Sequence, residues 1–139
     1  MRDMKIRFSD IEKVVSAKPG IYKISTDTGI LLKVGIGGNL LRRLRQHRAS
    51  RDSGLKLKPN GKWRDPDDVQ SKASILAKHL YFDRTIASDL DLTQEINREK
   101  FLLERCNITF EFTSDRLAAR ELEKDCVHGC RYVGRVRQR

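Results

Sequence analysis

Apolar and polar positions along this chain follow two periods, and each change of period marks an element. Gly20 to Thr26 and Ile30 to Gly35 are short apolar runs on either side of Asp27-Thr28-Gly29. Runs so spaced around a glycine-bearing turn predict a β-hairpin. Ile36-Gly37-Gly38-Asn39 then offers a turn and a cap, and Leu40, Leu41 and Leu44 recur at helical spacing until about His47. On that helix the leucines cover one sector, Arg43 and His47 sit together at its edge, and Arg42 and Arg45 point elsewhere, free to meet an anion.

The flanking segments read in the same way. Ser9 caps a short helix in which Glu12 returns the bond and Ile11, Val14 and Val15 face inward, ending near Ala17. Pro19 then forces extended backbone into the hairpin. Ser71 to Asp83 is helical in period through Ile75, Leu76, His79, Leu80 and Phe82, with His79 expected as a hydrogen-bonded side chain at the core edge. Thr93 to Glu104 is a further helix, capped by Asp91 or Thr93, with Ile96, Phe101, Leu102 and Leu103 inward. Asn107 to Thr113 alternates cleanly and predicts a half-buried strand carrying Ile108, Phe110 and Phe112 on one face. Ser114 or Asp115 caps a last helix to about Val127, and Gly129 stops it. The expected fold is α+β, a small antiparallel three-stranded sheet flanked by helices, with a basic loop and helical insertion over about 48–106. A chain of 139 residues is the size of one compact domain, taken here as 1–139.

Charge adds a partner class. The 29 Lys and Arg against 19 Asp and Glu leave a net charge of +10, which suits a polyanion binder or simply a highly charged surface. Part of the excess lies in a Gly- and Pro-bearing loop from Arg48 to Asp68, where Arg48, Arg51, Lys56, Lys58, Lys62 and Arg64 are interleaved and Trp63 offers a ring for stacking or wedging. Two readings of this loop stand: a surface excursion, or an insertion that contacts nucleic acid. Arg131 to Arg139 holds four arginines and is expected to fray in solvent or touch phosphate. No apolar run is long enough to span a membrane, MRDMKIRF lacks the apolar core of a signal peptide, and the odd number of cysteines favours a reduced, intracellular protein. Cys106, Cys126 and Cys130 lack standard zinc spacing and read as buried free thiols.

On the last helix, Ala119, Leu122 and Cys126 define the apolar sector. Glu123 borders it, whereas Glu121 projects to the opposite side with Asp125 and Leu117. A carboxylate at the core edge needs a partner.

Gly20-Ile21-Tyr22, ten residues, Lys33-Val34-Gly35 and a helix with Arg43 and His47 together resemble the GIY-YIG nuclease family. Ala119 to Val127, following a strand, is similar to that family's metal-binding helix. The chain departs from the family at Lys33, where most members have a second tyrosine and some restriction-type members have lysine. It also lacks the asparagine that some members place beyond the last helix. The resemblance implies a metal-dependent endonuclease that hydrolyses phosphodiester bonds in DNA. Its catalytic residues would be Tyr22, Lys33, Arg43, His47 and Glu123, and one divalent cation, Mg or Mn, would be bound by Glu123. Tyr22 is then the general base or the orienter of the attacking water, Lys33 lowers the phenol's pKa, Arg43 stabilises phosphate charge, and His47 positions water or phosphate. Arg42, Arg45, Arg48, Arg51, Lys56, Lys58, Lys62, Trp63 and Arg64 are the candidate nucleic-acid contacts. The alternative is a catalytically weakened DNA- or RNA-binding module on the same fold, and RNA remains open as a substrate because phosphate chemistry does not read the sugar. For Tyr22 and Lys33 to work together they must share a face, and the expected register sets them opposite one another, with Thr26 opposite Gly29.

Overall fold

The structure, a computed structural model, describes residues 4–139. Its centre is the hairpin, β2 (Gly20–Thr26) and β3 (Leu31–Gly37). A turn closes it, with Thr26 N–H donating to Ile30 O (2.9 Å) and Gly29 at φ +96°. That φ suits a residue without Cβ. The sheet has four antiparallel strands rather than three, in the order β1-β6-β2-β3, where β1 is Met4–Arg7 and β6 is Cys106–Phe112. The added strand is the first one, which pairs Ile6 with Ile108 across almost the whole chain. Four residues carry too little period to announce a strand by themselves.

The hairpin register differs from the expected one by two residues. Tyr22 pairs with Gly35 and Ile24 with Lys33. The turn takes up one residue more than expected, closing Thr26 on Ile30, and a bulge takes up another, since Ile24 pairs with Lys33 but Ser25 with Leu31, leaving Leu32 unpaired. Each single slip would reverse the faces, and two restore them. Tyr22 and Lys33 therefore share a face although they are not opposite one another.

The main core lies on that face. Tyr22, Ile24, Leu32, Ile108 and Phe110 meet Leu40 and Leu44 of α2 (Leu40–Ala49), Leu76 and Leu80 of α3 (Ile75–Tyr81) and Phe101 and Leu102 of α4 (Glu95–Arg105). Asn39 caps α2 as expected, its side chain accepting from Arg42 N–H (3.0 Å). The last helix, here α5 (Arg116–Cys126), is capped by Asp115, which accepts from Ala118 N–H (2.7 Å), and packs against β2 and β3.

Several local expectations change under tertiary packing. The first helix shrinks to a 3₁₀ turn over Phe8–Asp10 and one helical turn, α1 (Ile11–Val14), without a side-chain cap from Ser9. Glu12 instead binds Arg45 (3.2 Å) and Arg48. In α4, Ile96 is 68 % exposed, while Arg98, a cation, is wholly buried. Neither Asp91 nor Thr93 caps α4; the Asp91 carboxylate accepts from Thr93 N–H in the preceding turn (3.1 Å). Phe112, expected inward, is 37 % exposed at the end of β6.

The basic segment after His47 is structured. It contains a two-stranded ribbon, β4 (Leu55–Leu57) with β5 (Val69–Ser71), whose Leu55 and Val69 pack with Phe82 and Val136. The arginine-rich end is anchored as well: Arg131 and Tyr132 donate backbone N–H to Leu31 O and Leu32 O (2.8 and 2.9 Å), covering the edge of β3 beside the bulge. Tyr132 is buried, donates to Asp83 (2.7 Å) and stacks on His79 at 4.7 Å, so His79 is held by a ring rather than by the expected hydrogen bond. Burial opposes ionisation of Asp83, but Arg131 and Tyr132 overcome it and hold the carboxyl at about 2. All three cysteines are free: Cys106 is buried, and Cys126 and Cys130 are only partly so.

Candidate active site

Tyr22 projects from β2, a strand held by hydrogen bonds on both edges. Only 1 % of it is exposed. Its register partner Gly35 makes room for the ring: a Cβ at position 35 would stand 2.2 Å from the phenol oxygen. The glycine of the second motif segment is thus a steric requirement of the first tyrosine.

Further along α2 from its cap, and on its buried side, His47 brings Nε2 to 2.6 Å from Tyr22 Oη. Its other nitrogen, Nδ1, lies 2.7 Å from Ser74 Oγ. Ser74 is the cap of α3 and accepts there from Ala77 N–H (3.2 Å). With 0 % exposure and both nitrogens engaged, the imidazole contacts Tyr22 and Ser74 and not water or phosphate. Burial, then the charges of Arg43 and Lys33, hold its pKa well below the ordinary histidine value, so the ring is neutral at pH 7.

The phenol departs from expectation. Burial pushes Tyr22 up to about 12, against the pull of the Arg43 charge. Desolvation of a phenolate outweighs one neighbouring cation, and the cation acting on it is Arg43 rather than Lys33.

Arg43 donates from Nη1 to Ala73 O (2.8 Å) and Gln46 Oε1 (3.3 Å), which aligns its guanidinium between α2 and the start of α3. Lys33 is half-buried; burial and Arg43 lower its pKa while Cys130 and Glu123 oppose them. Glu123 comes from α5 and is also half-buried, and its charge acts on both Tyr22 and Lys33. Glu121, two residues away, is 65 % exposed and pairs with Lys124 at 3.1 Å. The two glutamates therefore separate as their helical positions predict.

Among the described residues there is no cluster of three or more His, Cys, Asp or Glu side chains to cage a metal. A single carboxylate still fits Mg or Mn, because such ions keep several waters and are commonly held by one or two carboxylates and substrate phosphates. Glu123 is the residue that would supply it.

The cations expected to meet nucleic acid divide into three groups. Arg42, Arg45 and Arg51 line a groove of about 470 Å³ together with Lys72, Ala73 and Ser74, next to the carbonyl that holds Arg43. Arg48 is drawn inward, bound to Glu12 and to Phe8 O (3.2 Å). Lys56, Lys58, Lys62 and Arg64 are on or beyond the β4–β5 ribbon, and Trp63, 44 % exposed, leans on Tyr81 with ring centres 6.0 Å apart. Lys72 and Ser74 are not among the residues that the sequence marks for the site, and Gly35 is marked there only as the glycine of the second motif. For Ser74 a signal existed, a serine immediately before the apolar Ile75-Leu76 run.

No protein-family model, curated protein or solved structure matches this chain.

Proposed function

We propose that this protein is a metal-dependent endonuclease that hydrolyses phosphodiester bonds in DNA. The observation that carries the reading is the buried phenol of Tyr22, hydrogen-bonded to His47 at 2.6 Å and acted on by Arg43 and Glu123 from two different helices. A neutral phenol with a cation and a carboxylate about it suits a phosphate diester, whose charge must be offset while water attacks.

In this reading Arg43 and Lys33 offset charge on the scissile phosphate, and Tyr22 orients the attacking water. Attack forms the new P–O bond as the bond to the leaving oxygen breaks; the water's proton passes to solvent and the leaving oxygen takes one up. A phenol near 12 is protonated at pH 7, which favours orientation over proton removal in this state. Glu123 would hold the divalent cation, which would supply Lewis-acid stabilisation of the departing oxygen. The groove beside Arg43 would take the flanking backbone.

Supercoiled plasmid, duplex oligonucleotides and RNA, each incubated with and without Mg or Mn, test this. Nicked or linear DNA only with metal is the expected result. Binding without cleavage of any substrate under any of these conditions would replace the enzyme with a binding module.

A further inference from the structure

Ser74, His47 and Tyr22 form a chain of three hydrogen-bonding groups joined by two contacts, Ser74 Oγ to His47 Nδ1 (2.7 Å) and His47 Nε2 to Tyr22 Oη (2.6 Å). The hydroxyl, the neutral imidazole and the phenol bring one hydrogen each. Two contacts use two of the three, so one hydrogen must point out of an end of the chain. At the Ser74 end the oxygen is buried and already accepts from Ala77 N–H, and its hydroxyl has no other acceptor among the described residues than His47 Nδ1. At the Tyr22 end no such constraint holds, and the phenol is acted on there by the charges of Arg43 and Glu123.

We infer that Ser74 is a positioning residue that donates to His47 Nδ1, fixes the imidazole as its Nε2–H tautomer, and so makes His47 a donor to the Tyr22 oxygen while the phenol hydrogen is left for an acceptor other than His47. This deepens the nuclease reading and rests on it for its catalytic consequence only. His47 then cannot take up the phenol's proton. Its N–H instead holds the oxygen in place and would stabilise negative charge there, as Arg43 does through its charge.

Two substitutions separate this from a merely structural role. Asn and Asp are both good helix caps and differ little in volume, so each can still serve α3. Asn can accept from Ala77 N–H through its oxygen and donate to Nδ1 through its amide, keeping the tautomer, whereas ionised Asp can only accept, so Nδ1 must carry a hydrogen. Uniform ¹⁵N labelling of histidine gives signals from only His47, His79 and His128, and loss of one set in H47Q assigns it. Long-range ¹H–¹⁵N spectra should show His47 protonated on Nε2 alone in the parent and in Ser74→Asn, and protonated on Nδ1 in Ser74→Asp. In cleavage assays Ser74→Asp should lose ~10²-fold or more in kcat with KM little changed, the scale of a mis-set catalytic tautomer, while Ser74→Asn stays within a few-fold. A parent His47 protonated on Nδ1, or equal losses in the two variants, would overturn the inference. The expected spectra in a protein that cleaves nothing would leave Ser74's assignment standing and remove the nuclease.

Discussion

Tyr22 occupies the space that a side chain on Gly35 would need, its hydroxyl 2.2 Å from where that Cβ would be. The ring has nowhere to retreat, because His47 holds its oxygen and the residue is already almost wholly covered. Gly35→Ala should therefore push the phenol off His47 at an overpacking cost of ~1–3 kcal/mol and abolish cleavage in a protein that still folds. Circular dichroism and a plasmid assay check both halves. Wild-type cleavage by this variant would mean that Tyr22 need not hold this position.

Glu123→Gln removes a ligand charge with almost no change of volume, and should eliminate divalent-dependent cleavage while duplex binding survives. Glu121→Gln is the matched control, since that residue is exposed and paired with Lys124. Equal activity of the two variants would remove the metal from Glu123.

Two sets of cations can track a backbone, the groove set Arg42, Arg51 and Lys72 and the ribbon set Lys56, Lys58 and Lys62. Neutralising either triple should flatten the log-log salt dependence of binding by up to ~0.9 for each phosphate that the protein no longer neutralises. Fluorescence anisotropy at several salt concentrations measures the slope. A triple that leaves it unchanged does not touch the duplex.

His47 and His79 both have folded pKa values below the ordinary 6.5, chiefly through burial, His79 at about 4. Between those limits the unfolded chain binds protons that the folded one refuses, so stability is full above pH 6.5 and falls as pH drops toward 4. The slope is up to ~1.4 kcal/mol per pH unit for His47, with a smaller, solvent-screened share from His79. Urea midpoints at about pH 7.5 and about pH 5, on either side of the ordinary histidine value, should differ accordingly, and His79→Gln should narrow the difference. Identical midpoints for the parent would show that both rings protonate without strain.

Arg98 is completely buried with every guanidinium N–H used: Nε and one Nη2 hydrogen on Ser50 O (3.0 and 2.6 Å), Nη1 on Leu92 O and Thr93 O (3.1 and 3.2 Å), and Nη2 again on Asp52. It ties the end of α2, just past His47, to α4. Arg98→Lys keeps the charge but has too few donors, leaving buried carbonyls bare, and should cost ~2–4 kcal/mol in chemical denaturation. A loss below ~0.5 kcal/mol would show that these carbonyls find water instead.

Elements whose cause is local could be read directly. The apolar runs around Asp27-Thr28-Gly29 specify a hairpin, Asn39 and Asp115 cap helices within reach of their own side chains, and helical spacing alone separates Glu123 from Glu121. What depended on distant chain closure was not legible. The face shared by Tyr22 and Lys33 survived only because an extra turn residue and the Leu32 bulge each shifted the register by one, and a strand's period cannot count residues absorbed outside it. The pairing of β1 with β6, the inward turn of Arg98 and the anchoring of Tyr132 all join segments far apart in sequence, where charge and propensity favour solvent and only packing decides otherwise. Ser74 belongs to both kinds: its place as a cap follows from the residues beside it, but its contact with His47 exists because the core brings α2 and α3 together.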